Sequence, residues 1–234
     1  MFDLSTITRE TRSRAPKGIV YGPPGVGKST FGASTGGLIL DAENGLPAGI
    51  DVAHTPYYAT WPEMKDCLDY LANHEHGFTA VVVDTVDWML RRIEEHVSGV
   101  SNGLDNTLNK AKGGYGNGKQ VLKNYAYQYL LPVLDKIVNR GVAVVLLAHA
   151  TRRDLTALEG SVSERSMPQI HADLAETMIE WSDFVGAACL VGGVRSLVLQ
   201  ETPQLVAKNR YGIDKAVYLS WDALTAEILN NMRG

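Results

Sequence analysis

Gly18-Ile-Val-Tyr-Gly22-Pro-Pro-Gly-Val-Gly-Lys28-Ser29-Thr30 is the stretch on which the fold turns. Residues 18–21 form a short β-rich run, 22–29 match G-x-x-x-x-G-K-[ST] at every fixed position, and a helix is predicted from about Gly27. Strand, glycine loop and helix in that order make a phosphate cradle. Glycine lets the backbone wrap so closely that successive N–H groups point at the anion, and the helix N-terminus adds partial positive charge. Lys28 is then placed to reach the β- and γ-phosphates, and the Ser29 hydroxyl to ligate Mg²⁺. Gly22, Pro23, Pro24, Gly25, Val26, Gly27, Lys28, Ser29 and Thr30 are therefore the expected ATP-binding residues.

The neighbouring strands supply carboxylates. Ala80-Val-Val-Val-Asp84 is an apolar strand ending in an acid. Its end lies at the carboxyl edge of the sheet, where Asp84 can hold magnesium through the metal's water shell. Asp84-Thr85 would also cap the helix that follows. Leu38-Ile-Leu-Asp41-Ala-Glu43 is a second such strand. An acid at its end can orient or deprotonate the attacking water, and spacing alone does not choose between Asp41 and Glu43.

Further along, helical spacing covers 61–73, with Trp61, Met64, Leu68 and Leu71 on one face, and helices are also predicted at 86–97, 120–139, 172–181 and 221–230. A very apolar strand spans 142–148, and several short strands fall within 184–219. Alternating helices and wholly apolar strands predict an α/β fold: a mostly parallel central sheet with helices on both faces and antiparallel edge strands. One domain over 1–234 is expected, with 1–17 as an N-terminal extension. Two stretches break the pattern. Residues 98–119 carry six glycines and no sustained period, and 151–169 are irregular, so both are expected to be mobile loops.

At 234 residues, with 45% apolar and 21% charged residues, the chain has the makings of a folded domain with a sizeable core. No run approaches a membrane span and no signal-like segment opens the chain, so no membrane partner is expected. Cys67 and Cys189 sit in apolar patterns and read as buried free thiols, which predicts a reducing, cytoplasmic setting. The net charge of −4 argues against gripping nucleic acid over the whole surface and leaves room for a local basic patch. His74-Glu-His76 has no third metal ligand nearby, and Arg91-Arg92 reads as a solvated helix face.

Taken in order, the strand leading to Glu43, the strand ending at Asp84, a strand ending at His149 and the late Lys208-Asn209-Arg210 resemble the core of RecA-type recombination ATPases over about residues 18–219. Tyr21 to Lys28, Gly114-Tyr115-Gly116 and Ala207 to Arg210 are similar in texture to the compact phage RecA-like proteins of the Sak-four type, which are single-strand annealing ATPases. The resemblance implies that Glu43, rather than Asp41, is the catalytic carboxylate. It implies that His149 reads the γ-phosphate and relays to a DNA loop, and that Lys208 and Arg210 reach a neighbouring subunit's nucleotide. It further implies a phage-encoded homo-oligomer, ring or filament, acting on single-stranded DNA in the host cytoplasm, with a single-strand binding protein as a further partner. His149 departs from the glutamine usual in the large recombinases and matches small hexameric replicative ATPases. A ring-forming replicative ATPase or helicase is therefore the alternative reading, and a slow nucleotide switch that binds DNA is another.

In that family both irregular stretches emerge where the core grips a single strand. The first holds Lys110, Lys112, Tyr115 and Lys119 among glycines; the second holds Arg152 and Arg153. Cations for phosphates, a flexible backbone and an aromatic face for stacking are the ingredients of single-strand binding, so these six are the expected DNA contacts.

Overall fold

In the computed structural model, which describes residues 14–99, 107–156 and 162–233, the apolar runs become one sheet. Its strands are β1 (Lys17–Gly22), β2 (Leu38–Asp41), β3 (Ala53–His54), β4 (Ala80–Asp84), β5 (Ala143–Thr156), β6 (Val162–Pro168), β7 (Phe184–Val191), β8 (Val194–Val198), β9 (Lys208–Asn209) and β10 (Val217–Tyr218). The order across the sheet is β10-β8-β7-β1-β5-β4-β2-β3. The six strands from β7 to β3 run parallel, while β8, β9 and β10 add antiparallel edges. This is the mixed α/β architecture expected from the alternation of apolar strands and helices.

Because side chains alternate across a strand, each central strand feeds two cores. Ile19, Tyr21, Leu38, Leu40, Val81, Val83, Val144 and Leu146 face one side. They meet α2 (Trp61–Asn73), α3 (Val86–Ser98), α6 (Ala172–Trp181) and a long helix. That helix begins as α4 (Asn117–Tyr125), passes through a π-helical turn at Ala126–Leu130, and continues as α5 (Leu131–Asn139). Val20, Ile39, Val82, Val145 and Leu147 face the other side, against Phe31 of α1 (Lys28–Ala33) and Leu224 and Ile228 of α7 (Trp221–Arg233). Trp61 ties α2 to the long helix: its indole N–H donates to the Tyr125 hydroxyl at 2.7 Å, and its ring stands edge-on to Tyr125 and Tyr129.

Two expectations are corrected. Residues 151–169 are not an irregular loop, because β5 runs on past His149 and pairs with β6 as an antiparallel ribbon. The ribbon carries polar residues on both faces and shows no sustained apolar period, with Met167 its buried core residue; backbone pairing defines it. Arg165, midway along β6, fastens the ribbon by donating to the Thr202 and Leu205 carbonyls. In the first stretch, helix begins at Asn117 rather than 120, and buried Leu108 and Ala111 anchor the chain before it. Gly118 is required there, since a Cβ would lie 2.3 Å from the Leu108 carbonyl. Residues 1–13 of the expected extension, 100–106 of the first stretch and 157–161 of the second lie outside the described residues. Cys67 and Cys189 are unpaired, and both are half-buried rather than buried. No described helix is long and apolar enough to cross a membrane.

Candidate active site

Strand register assembles the site. Gly22 at the end of β1 stands opposite His149 on β5, Asp84 of β4 stands opposite Leu147 of β5, and Asp41 of β2 stands opposite Asp84. The phosphate loop, two acids and an imidazole therefore meet at the carboxyl edge of adjacent parallel strands. Gly22 packs so tightly that a Cβ would lie 2.7 Å from the Ala188 carbonyl. Gly25 and Gly27 take φ of 76° and 109°, the left-handed conformations that turn successive amides inward. Val26 instead joins the core cluster that also holds Val20 and Phe31.

The pocket so formed has a volume of about 280 Å³ and is lined by Lys28, Ser29, Thr30, Glu43, Asp84, His149 and Arg195, among others. The Lys28 ammonium donates to the Gly22 and Pro23 carbonyls at 3.0 and 3.2 Å. Burial lowers its pKa, partly offset by Asp84, Glu43 and Asp87. Asp84 moves the other way. Its carboxyl is pushed up to about 6, chiefly by burial, with Glu43 and Asp41 adding to the effect; a hydrogen bond from Ser29 and the charge of Lys28 oppose it. The Asp84 Oδ2 is buried without a hydrogen-bond partner among the described residues. A buried carboxylate oxygen beside a hydroxyl and a phosphate loop suits a hard, oxygen-seeking cation, so Ser29 and Asp84 fit a Mg²⁺ site.

The geometry also separates the two acids at the end of β2. Asp41 spends Oδ1 on the Asn44 and Glu43 amides, at 2.7 and 3.2 Å, closing a turn. Glu43 is left to face the pocket. Its Oε2 accepts from the Thr85 hydroxyl at 3.2 Å, and its Oε1 lies 3.5 Å from His149 Nε2. Asp87, in the first turn of α3, holds the imidazole from behind. It accepts from Nδ1 at 2.8 Å and from the His149 backbone amide at 3.1 Å. That pairing leaves Nε2 directed at Glu43. Thr85, Asp87 and Arg195 escaped the sequence reading. Asp87 follows Asp84 by three residues, a signal that was present but indistinguishable from an ordinary acid in a helix's first turn.

A second, larger cavity of about 620 Å³ lies on the other side of His149, lined by Asp87, Trp88, Arg91, Thr107, Arg153 and His171, among others. Of the expected DNA contacts, Lys110, Lys112, Tyr115 and Lys119 are exposed, and among the described residues no carboxylate pairs with the three lysines. Arg152 is exposed and lies 3.3 Å from Glu164 across the ribbon. Arg153 instead turns inward and donates to the Ile170 carbonyl at 2.6 Å.

Lys208 and Arg210 are not brought to this pocket. β9 pairs with the start of β7, which is level with Gly18, at the opposite end of the sheet from the phosphate loop. The Lys208 ammonium donates to the Ile179 and Glu180 carbonyls at the end of α6. Arg210 pairs with the buried Asp183 carboxylate at 3.2 Å.

A family model described as an AAA domain matches residues 14–211. No curated protein matches the chain.

Proposed function

The chain belongs to the AAA domain family of P-loop ATPases, and on that premise we propose that it is a phage-encoded, RecA-like ATPase that assembles on single-stranded DNA and promotes annealing or recombination. The observation that carries this reading is the position of His149, whose ring forms part of both cavities. A γ-phosphate in the smaller cavity and a group in the larger one would touch the same imidazole. The larger cavity is bounded by Thr107, three residues before the first of the exposed lysines, and by Arg153 of the ribbon. Exposed unpaired cations around a fully exposed Tyr115 favour a flexible polyanion with stackable bases.

In this mechanism the loop amides and Lys28 hold the triphosphate; Ser29 would hold Mg²⁺ directly and Asp84 through its water shell, and the ion would neutralise phosphate charge. Glu43 accepts a proton from water as the water oxygen attacks the γ-phosphorus. The bond to the bridging oxygen breaks, ADP leaves with its electron pair, and inorganic phosphate follows. Thr85 and His149 hold the Glu43 carboxylate in position, and Asp87 fixes the ring.

ATP turnover with and without single-stranded DNA tests the proposal. DNA is expected to stimulate hydrolysis. Lys28→Ala should lose binding and turnover together, whereas Glu43→Gln should keep binding and lose at least about 10²-fold in rate. Replacing Lys110, Lys112 and Lys119 with alanine should weaken DNA binding and lower the salt slope by about 0.7 for each lost phosphate contact. Unchanged DNA affinity and slope would remove this surface from the DNA site. Closed rings with directional unwinding, seen by electron microscopy and strand-separation assays, would favour a replicative motor instead. DNA binding with negligible turnover would favour a nucleotide switch.

A further inference from the structure

The two walls of the nucleotide pocket come from opposite sides of β1. Glu43 follows β2, Asp84 ends β4 and His149 lies within β5, all on one side of the central strand. The other wall is built by the β7–β8 hairpin, whose strands turn at Gly192 and Gly193, with φ of 57° and 83°. Arg195 is on β8 directly opposite Leu190, and its side chain lies over the phosphate loop. Its Cδ and Nε are 3.5 and 3.8 Å from where a Cβ on Gly27 would be. The Arg195 carbonyl is fixed by the Leu219 amide at 3.1 Å, and the Leu219 side chain packs at the same spot on Gly27. Among the described residues no carboxylate or carbonyl pairs with the Arg195 guanidinium, although the side chain lines the pocket.

We propose that Arg195 is a nucleotide-binding residue that grips the α- and β-phosphates from the side opposite the hydrolytic groups. Glu43 and His149 fix the γ-phosphate end of the site, so a phosphate chain lying along the loop presents its α,β-portion to the β8 wall. A guanidinium offers a planar fork of donors that matches two phosphate oxygens at once, in a protein whose net charge of −4 otherwise disfavours polyphosphate. This inference rests on the phosphate-loop reading of the pocket, and the predicted contact is with a part of the ligand that ADP and ATP share.

The test measures binding of ADP, a non-hydrolysable ATP analogue and inorganic pyrophosphate to the wild-type chain, Arg195→Ala and Arg195→Lys. Arg195→Ala should weaken all three by a similar factor, about tenfold or more, as loss of a charge-assisted phosphate contact predicts. Arg195→Lys keeps the charge without the fork and should fall between. The side chain is exposed and unpaired, so folding is expected to survive, and the Lys variant reports even if the Ala variant is unstable. Loss confined to the triphosphate analogue would make Arg195 a γ-phosphate residue and overturn the proposal. Loss for ADP with pyrophosphate unaffected would assign it to the nucleoside and overturn it too, as would unchanged affinity throughout. A wild-type chain that binds ADP separates these outcomes from failure of the site itself; if it binds no nucleotide, the phosphate-loop reading and this inference fall together.

Discussion

Asp84 carries a carboxylate that the protein buries, crowds with two other acids and leaves with one oxygen lacking a hydrogen-bond partner among the described residues. Its pKa is raised above the ordinary 3.8 to about 6. The sign follows directly: the stabilising contribution of this group is fully present below about pH 4 and is lost as pH rises through 6. Above that, without a cation, the folded chain holds a charge it disfavours, by at most about 3 kcal/mol. Asp84→Asn should therefore raise the melting temperature of the metal- and nucleotide-free protein by a few degrees at pH 7.5, and by less at pH 5. The same substitution should remove Mg²⁺-dependent ATP binding. Melting curves at the two pH values decide it; an Asn variant no more stable than wild type at pH 7.5 would mean the carboxylate is compensated inside the protein. Lys28 and Ser29 were legible in the sequence because the strand, loop and helix that define them are contiguous, and Asp84 because it closes a wholly apolar strand. Asp87 and Arg195 were not, because each matters only through pairing with a distant strand: α3 against β5 for one, β8 beside the phosphate loop for the other.

Among elements, legibility tracked periodicity. α2, α6, β2 and β4 occupy the residues their apolar spacing predicted, since each presents a face to a core that rewards that spacing. The β5–β6 ribbon gives the core little beyond Met167, with Ala150 and Leu155 packed at its margin, and its sequence reads as a loop. Within the covered layer, α2 is held mainly by Trp61, which is fully buried, stands edge-on to Tyr125 and Tyr129 and hydrogen-bonds to the long helix. Trp61→Ala should destabilise the fold by about 3–5 kcal/mol through the cavity it leaves. Trp61→Phe keeps much of the ring but orphans the Tyr125 hydroxyl, and should cost nearer 1–3 kcal/mol. Denaturant midpoints of the two variants test this. Equal losses would mean that the indole N–H, not the buried volume, anchors the element.

For the whole molecule, Lys208 and Arg210 test whether one chain completes its own site. Lys208 and Arg210 sit at the far end of the sheet, where they satisfy the last carbonyls of α6 and the buried Asp183. Burial, with the nearby Arg210 charge, lowers the Lys208 pKa. A purely internal role predicts that Lys208→Ala lowers the melting temperature and leaves turnover per folded chain intact. The proposed action on a neighbour predicts the reverse, a large loss of turnover with nucleotide binding retained, because charge supplied in trans can be worth about 10³–10⁵ in rate. Mixing Lys208→Ala with Glu43→Gln protein should then restore part of the activity, since some interfaces combine an intact Glu43 with an intact Lys208. Co-assembly without rescue would sink the shared-site proposal. The strand order has a separate bearing on how the molecule is made. Among the described strands β1 is synthesised first, yet it lies between β7 and β5, and Gly22 has no register partner until His149 exists. A nascent chain halted before that residue holds the whole phosphate-loop motif with nothing to clamp it, so nucleotide can act as a ligand-chaperone only late in translation, once the central strand has both flanks.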